Sequence, residues 1–295
     1  MSTAHFTFSR LAASLLLFLP AFAQADDARL KPFKDELFSA QTVLESRDGG
    51  AFQILDYQEM RDINGRDEIP ERRVKSAYVS LGVKRAQLDE TLQLADGHTL
   101  DVTRVGPATN AAFTVIFIHG RGGDRRLGVN DYTFGGNFNR LKNLAAGNFG
   151  TYYSPSVHTF DSAGVAAVAG LIAHAAAQSP GKPIILSCAS MGSFICWGIA
   201  RDKPTASLLT GMAILGGATD PQFVGSAAYK KKLPIFFTHG GDDPVYAATD
   251  QIGLYSKLRK AKYPVRFTLF QSGSHGTPVR MTDWRAVLNW LMTAG

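Results

Sequence analysis

From Phe113 to the C-terminus, short apolar runs alternate with longer segments of helical periodicity, and this alternation constrains the fold more than any other feature. Strands that alternate with helices favour a mostly parallel sheet with helices on both faces. Binding sites in such sheets lie beyond the carboxyl ends of the strands. The predicted strands are FTVIFIHG, GTYYSPS, PIILSCAS, TGMAILGG, LPIFFTHGG and YPVRFTLFQSG, and the predicted helices are 137–146, 161–178, 191–201, 247–261 and 282–293.

The chain before residue 113 has weaker patterns. In LDETLQLADGHTLDVTRVG, two alternating runs flank Asp96-Gly97, which predicts a β-hairpin. Residues 30–46 carry apolar side chains at helical spacing and predict an amphipathic helix. Residues 51–86 have no clear pattern. We therefore predict an N-terminal extension of uncertain structure over residues 26–85, followed by one main domain over residues 86–295.

The first 25 residues have the features of a secretory signal peptide. Arg10 precedes an apolar run over residues 11–23, and Ala23-Gln24-Ala25 has the small residues of a cleavage site. The run is short for a membrane span, and no later segment has transmembrane character. We predict cleavage after Ala25 and an exported protein, periplasmic or secreted, without a stable transmembrane anchor.

Charge and composition exclude several functional classes. Hydrophobic residues make up 45% of the 295 residues and charged residues 19%, which is globular composition. The net charge is +6, but the basic residues are scattered and form no nucleic-acid-binding motif. Metal-ligand spacings, phosphate loops and dinucleotide fingerprints are not found, so no metal and no cofactor are predicted. The sequence leaves open whether Cys188 and Cys196 form a disulfide.

Ser190 is the candidate nucleophile. It is the centre of Cys188-Ala189-Ser190-Met191-Gly192, between a predicted strand and a predicted helix. The nucleophile elbow Gly-x-Ser-x-Gly places an exposed serine on such a turn and needs small flanking residues. Gly192 fits this pattern, whereas Cys188 replaces the usual first glycine. An ordinary buried strand-to-helix connection is the alternative interpretation.

A serine nucleophile needs a base, and the base needs an acid to orient it. His275 follows a predicted strand in SGSHGTPV and is the candidate base. Asp243, in HGGDDPV, is the candidate acid, with Asp242 and Asp220 as weaker alternatives. The two other histidines at strand ends, His119 and His239, are expected to hold turns rather than to act as bases.

The developing oxyanion needs preorganised N–H donors. We predict that the backbone N–H groups of Arg121 and Met191 form this oxyanion hole. Met191 follows the candidate nucleophile, and Arg121 belongs to the glycine-rich loop HGRGGD after the first strand of the main domain. Glycines on both sides of Arg121 allow close approach of the backbone to a substrate.

Together these motifs resemble the α/β-hydrolase superfamily, since HGRGG, CASMG, HGGDDPV and GSHG follow one another in the order of that family. The resemblance covers residues 113–295. It implies an α/β-hydrolase fold, extended here by the N-terminal hairpin and the extra N-terminal segment. The short intervals between the three candidate catalytic residues resemble the compact dienelactone-hydrolase, acyl-thioesterase and carboxylesterase branches. Cys188 is the clear departure from the family pattern.

The resemblance implies an exported serine hydrolase that cleaves a carboxylic ester or thioester through an acyl-enzyme. A phospholipase or a peptidase with the same triad is an alternative, as is a noncatalytic binding protein of the same fold. The expected partner is a small-molecule or lipid-like ester. Arg125 and Arg126 follow the oxyanion loop and are candidate substrate-binding residues for an anionic group.

Overall fold

A computed structural model describes Met1, residues 30–95 and residues 97–294. The predicted signal peptide beyond Met1, and Asp96 of the predicted hairpin turn, lie outside the described residues. No helix within these ranges is long and apolar enough to cross a membrane.

Ten strands form one mixed sheet in the order β1-β2-β12-β11-β10-β9-β7-β8-β6-β5, and β3 and β4 form a separate pair. The strands of the described chain are β1 (Val43–Arg47), β2 (Phe52–Leu55), β3 (Asp67–Glu68), β4 (Arg73–Val74), β5 (Gln87–Gln93), β6 (Thr99–Val105), β7 (Thr114–Ile118), β8 (Thr151–Pro155), β9 (Ile184–Ala189), β10 (Gly211–Leu215), β11 (Ile235–Gly240) and β12 (Val265–Phe270).

The strands from β2 to β8 in this order are parallel to one another. At the edges, β1 pairs antiparallel with β2, β6 pairs antiparallel with β8, and β5 pairs antiparallel with β6. The predicted mostly parallel sheet is therefore confirmed. The hairpin of β5 and β6 also forms as predicted, with Gln93 opposite Thr99.

Helices cover both faces of the sheet, as predicted. They are α1 (Asp35–Phe38), α2 (Glu59–Arg66), α3 (Asn137–Gly147), α4 (Ser162–Gln178), α5 (Gly192–Arg201), α6 (Lys203–Leu208), α7 (Ala227–Lys230), α8 (Ala248–Lys260), α9 (Thr277–Met281) and α10 (Trp284–Thr293). The buried side chains of α4, α5 and α8 pack into one core cluster, and those of α3 and α10 into another.

The central strands separate these two cores because successive side chains of a strand point to opposite faces. In β7, Ile116 and Ile118 belong to the core beneath α4 and α5, while Val115 and Phe117 belong to the core beneath α3 and α10. All four are fully buried. A strand buried on both faces reads as a continuous apolar run, which is why the sequence signal for β7 was strong.

The predicted amphipathic helix over residues 30–46 is wrong. Only α1 is helical there, and β1 takes up the end of the segment. Val43 and Leu44 are 47% and 50% exposed, so they do not form the buried stripe that an amphipathic helix requires. Instead β1 pairs with β2, and β2 pairs with β12 across the register Phe52–Phe267. Strands from the N-terminal extension thus complete one edge of the main sheet.

Candidate active site

Ser190 lies on the sharp turn between β9 and α5, at the carboxyl edge of the sheet. Its φ of +53° is in the left-handed region, which a residue other than glycine seldom adopts. The Ser190 N–H donates to the Leu215 carbonyl at 3.0 Å, which ties the turn to the end of β10. This strained conformation, held by the neighbouring strand, is the geometry expected of a nucleophile elbow.

Two glycines let three backbone segments converge at this turn. A Cβ atom on Gly192 would lie 2.7 Å from the His119 carbonyl oxygen and 2.8 Å from that of Ile118. A Cβ atom on Gly120 would lie 2.8 Å from Cβ of Ser190. All three distances are too short for a real Cβ atom. Glycine at these positions therefore allows the start of α5 and the loop after β7 to pack against Ser190.

Cys188 occupies the position of the usual first glycine and is bonded to Cys196. Both cysteines are fully buried. The sequence left this pairing open. In the structure the bridge joins the end of β9 to α5, and Ser190 lies between the two cysteines in the chain.

His275 and Asp243 complete a hydrogen-bonded chain that begins at Ser190. The Oγ atom of Ser190 lies 2.8 Å from Nε2 of His275, and Nδ1 of His275 lies 2.8 Å from Oδ2 of Asp243. A carboxylate only accepts hydrogen bonds, so the proton of the neutral imidazole lies on Nδ1. The Nε2 lone pair is then free to accept the Ser190 hydroxyl proton.

The Asp243 carboxylate is held rigidly in the interior. Its side chain is fully buried, and Oδ1 accepts the backbone N–H groups of Val245 at 2.8 Å and Tyr246 at 3.1 Å. These two bonds leave Oδ2 facing His275. The loop after β11 therefore folds around its own aspartate and fixes the direction in which the carboxylate points.

Neither alternative acid is hydrogen-bonded to His275 in the described part of the chain. Asp220 forms an ion pair with Arg201, and its other oxygen accepts the Gln222 N–H at 3.0 Å. Asp242 contributes its backbone N–H to the Gly273 carbonyl at 2.9 Å. The structure brings Asp243, and neither of these residues, into hydrogen-bonding distance of His275.

His119 stabilises the loop after β7. Its Nδ1 lies 2.8 Å from the Gly120 carbonyl, and Nε2 accepts the Val157 N–H at 3.0 Å. Burial lowers the pKa of His119, so the ring is neutral at pH 7 and donates only from Nδ1. This histidine holds the backbone that carries Arg121 beside Ser190.

A cavity of about 480 Å³ opens directly over Ser190 and His275. Arg121 and Met191, the residues of the predicted oxyanion hole, line it together with Ser190. Met191 also precedes the first turn of α5, where the positive end of the helix dipole lies. The rest of the wall is mostly apolar and includes Phe117, Leu127, Phe134, Leu215, Val245 and Val279.

Tyr246 also lines the cavity, and sequence reasoning missed it. Burial and the Asp243 carboxylate raise the pKa of its phenol, whereas the charge of Arg121 lowers it. The phenol is therefore neutral at pH 7, and Arg121 lies near enough to act on it. Its position in the sequence could have indicated it, since Tyr246 lies three residues after the candidate acid Asp243 in the same loop.

Arg125 and Arg126 do not line this cavity, which argues against their predicted substrate-binding role. Arg125 lies 3.1 Å from Asp101 and 3.6 Å from Asp89, both on the β5–β6 hairpin. Arg126 pairs with Asp124, and its side chain is 83% exposed. Each guanidinium already has a carboxylate partner outside the cavity.

No group of three or more histidine, cysteine or acidic side chains in the described ranges is arranged to hold a metal ion.

Comparisons with known proteins identify the fold through solved structures. No protein-family model matches the sequence, and no curated protein sequence is significantly similar to it. A thermostable esterase aligns over 71% of this chain with a TM-score of 0.57 and 19% identity, and this chain spans only 63% of that esterase. A Pyrococcus furiosus esterase aligns over 70% of this chain and 89% of its own, with a TM-score of 0.52 and 12% identity.

A candidate α/β hydrolase of unknown function from Agrobacterium tumefaciens gives a further match. It aligns over 68% of this chain and 93% of its own, with a TM-score of 0.52 and 13% identity. At these identities the similarity is one of fold, and it confirms the fold class predicted from the motifs.

Proposed function

We propose that this chain, which has the α/β-hydrolase fold, is a serine hydrolase that cleaves a carboxylic ester or thioester through an acyl-enzyme. One observation carries the proposal: Ser190, His275 and Asp243 form a continuous hydrogen-bonded chain with both links at 2.8 Å. Hydrogen bonds between nucleophile, base and orienting acid are the geometric signature of nucleophilic catalysis by serine.

In the first half of the reaction, Ser190 Oγ attacks the substrate carbonyl carbon while His275 Nε2 takes the hydroxyl proton. The carbonyl oxygen becomes an oxyanion, which accepts hydrogen bonds from the backbone N–H groups of Arg121 and Met191. The intermediate collapses, the bond to the alcohol or thiol breaks, and His275 returns the proton to the leaving group. Asp243 stays ionised and stabilises the imidazolium between these two transfers.

In the second half, a water molecule attacks the acyl carbon and gives its proton to His275. The same two N–H groups hold the second oxyanion, and its collapse breaks the bond to Ser190 Oγ. His275 then protonates that oxygen, so the carboxylic acid leaves and the free serine is restored. Every proton removed in one step is returned in the next.

The cavity favours a substrate with an apolar group of moderate size. Its apolar wall faces Ser190, and burial of apolar surface contributes roughly 25 cal/mol per Å² to binding. Arg121 is the cationic residue of the cavity wall. Among residues 30–95 and 97–294, no carboxylate is paired with it. An ester with an apolar acyl or alcohol part and an acidic group that reaches Arg121 therefore fits the site.

We also propose that the protein is exported after cleavage behind Ala25. The signal-peptide pattern of residues 1–25 supports this, and so does the disulfide between Cys188 and Cys196, because disulfides persist mainly in oxidising compartments.

A fluorophosphonate probe tests the proposed nucleophile, since such probes react with activated serines. The mature protein should be labelled on the peptide that contains Ser190, and Ser190→Ala should abolish both labelling and ester hydrolysis. Ser187→Ala is a matched control, because Ser187 lies on β9 just before the turn and its buried hydroxyl has no hydrogen-bond partner among the described residues. An unlabelled protein that binds esters without hydrolysing them would instead establish a noncatalytic binding protein.

A further inference from the structure

His239 is a second imidazole next to Asp243, and no step of the proposed reaction uses it. The residue is at the end of β11 and its side chain is fully buried. Its Nε2 lies 3.3 Å from Oδ2 of Asp243, the same oxygen that accepts Nδ1 of His275. Two imidazoles therefore share one carboxylate oxygen.

Both ring nitrogens of His239 face hydrogen-bond acceptors. Nδ1 lies 2.8 Å from Oε1 of Gln251, and Nε2 lies 2.9 Å from the Tyr246 carbonyl oxygen. The orientation of the Gln251 amide is set by its other end, because Nε2 of Gln251 donates to the Gly217 carbonyl at 2.8 Å. If this amide were rotated, Oε1 of Gln251 would face the Gly217 carbonyl oxygen, and two acceptors would be in contact.

Among the described residues, the hydrogen-bonding neighbours of the two His239 nitrogens are all acceptors: Gln251 Oε1, the Tyr246 carbonyl and Asp243 Oδ2. A carbonyl oxygen cannot donate, and the ionised Asp243 carboxylate, which accepts two N–H groups on Oδ1 and His275 on Oδ2, cannot donate either. Asp243 is also the one carboxylate within 4 Å of His239 in the described residues. A neutral imidazole donates from one nitrogen only, whereas an imidazolium donates from both.

We propose that His239 is a positioning residue, held as a buried imidazolium that balances the charge of Asp243 behind the catalytic base. This rests on the proposed triad. The cation holds the loop after β11 through the Tyr246 carbonyl and so keeps Asp243 in place. Its charge also weakens the attraction of Asp243 for the proton on His275, because opposite charges buried close together offset each other. The base then releases its proton to the leaving group more readily.

The protonation state can be measured without any assay of activity. In protein labelled with ¹⁵N-histidine and held at pH 7, both ring nitrogens of His239 should carry a directly bonded proton. His119 serves as the internal reference, because its Nε2 accepts a hydrogen bond and should carry none. A single protonated nitrogen on His239 would overturn the proposal, whether or not Ser190 proves to be the nucleophile.

The positioning role is tested by His239→Gln, which can still donate to the Tyr246 carbonyl but carries no charge. The acid limb of the kcat/KM profile should move to higher pH by about one unit, since the proton on His275 gains the full attraction of Asp243. His119→Gln is the matched control, because it removes a buried strand-end histidine that does not contact Asp243, and its acid limb should stay in place. If the acid limb of the kcat/KM profile does not move in His239→Gln, His239 does not tune the basicity of His275.

Discussion

Cys188 and Cys196 are joined by a disulfide with their Cα atoms 6.2 Å apart, and Ser190 lies in the chain between them. The bridge ties Cys188, near the end of β9, to the second turn of α5. The elbow is thus closed covalently as well as by the Ser190–Leu215 hydrogen bond. We infer that the bridge stabilises the left-handed conformation of Ser190.

Loss of this disulfide should lower stability. A closed loop of this length, with a sequence separation of 8, is expected to contribute about 2–3 kcal/mol on chain-entropy grounds. Urea unfolding of the unmodified protein should therefore show a lower midpoint with reductant than without it. Cys188→Ala with Cys196→Ala should be insensitive to reductant, and equal midpoints for the oxidised and reduced proteins would contradict the prediction.

Asp243→Asn should lower kcat far more than the same change at either neighbouring candidate. An asparagine amide at this position places the wrong atom against Nδ1 of His275, and loss of a triad acid has cost about 10⁴-fold in trypsin. Asp220→Asn breaks only the ion pair with Arg201, a side chain that is 43% exposed, so a small effect is expected. Steady-state kinetics of Asp243→Asn, Asp242→Asn and Asp220→Asn, each checked by circular dichroism, decide the point. The largest loss at Asp220 would refute the assignment of the acid.

Gly192→Ala should disrupt the elbow, because the new methyl group would lie 2.7 Å from a backbone oxygen. We expect activity to fall steeply and the protein to lose stability, since a backbone atom cannot move aside as a flexible side chain can. Gly253→Ala is the control. No atom lies within 4 Å of a Cβ there, and the change within α8 should stabilise the protein by about 0.5–1 kcal/mol. Activity and thermal unfolding of both variants provide the comparison, and a fully active Gly192→Ala protein would argue against the close packing at Ser190.

Arg121→Ala should reduce kcat/KM for an ester with a carboxylate more than for a neutral ester of the same acyl group. Its guanidinium is available to a substrate anion, and a hydrogen bond to a charged group contributes roughly 1.5–3 kcal/mol, less where solvent screens it. Arg126→Ala should leave both esters unaffected, because Arg126 is exposed and paired with Asp124. The ratio of the two kcat/KM values for each variant is the measurement. An equal loss on both esters would assign Arg121 to loop structure rather than to substrate selection.

Export predicts a defined mature N-terminus. If the signal peptide is cleaved after Ala25, N-terminal sequencing of the exported protein should begin at Asp26. Ala23→Leu with Ala25→Leu should block cleavage and leave a longer precursor. A cytoplasmic protein that keeps Met1 would contradict both the signal peptide and the proposed location.

The sequence predicted those features that depend on residues close together in the chain. Continuous apolar runs, typical of strands buried on both faces, predicted the parallel strands. Small residues on both sides of Ser190, between a predicted strand and a predicted helix, indicated the turn that carries it. Asp243 and His275 could be selected because strand ends share one edge of a parallel sheet. These inferences depend on local patterns, so one sequence sufficed for them.

Contacts between distant segments decided the rest. Part of the helix predicted over residues 30–46 is strand β1 instead. β1 pairs with β2, and β2 pairs with the edge of β12, more than 200 residues later in the chain. Arg125 is a candidate substrate ligand by its position in the sequence, but in the structure it pairs with Asp89 and Asp101 on the hairpin. The same holds for His239, whose two acceptors come from Gln251 and Tyr246. A sequence displays which side chains carry charge or donors, but only the tertiary structure decides which partners meet them, because hydrogen bonds and ion pairs act over a few ångströms of space.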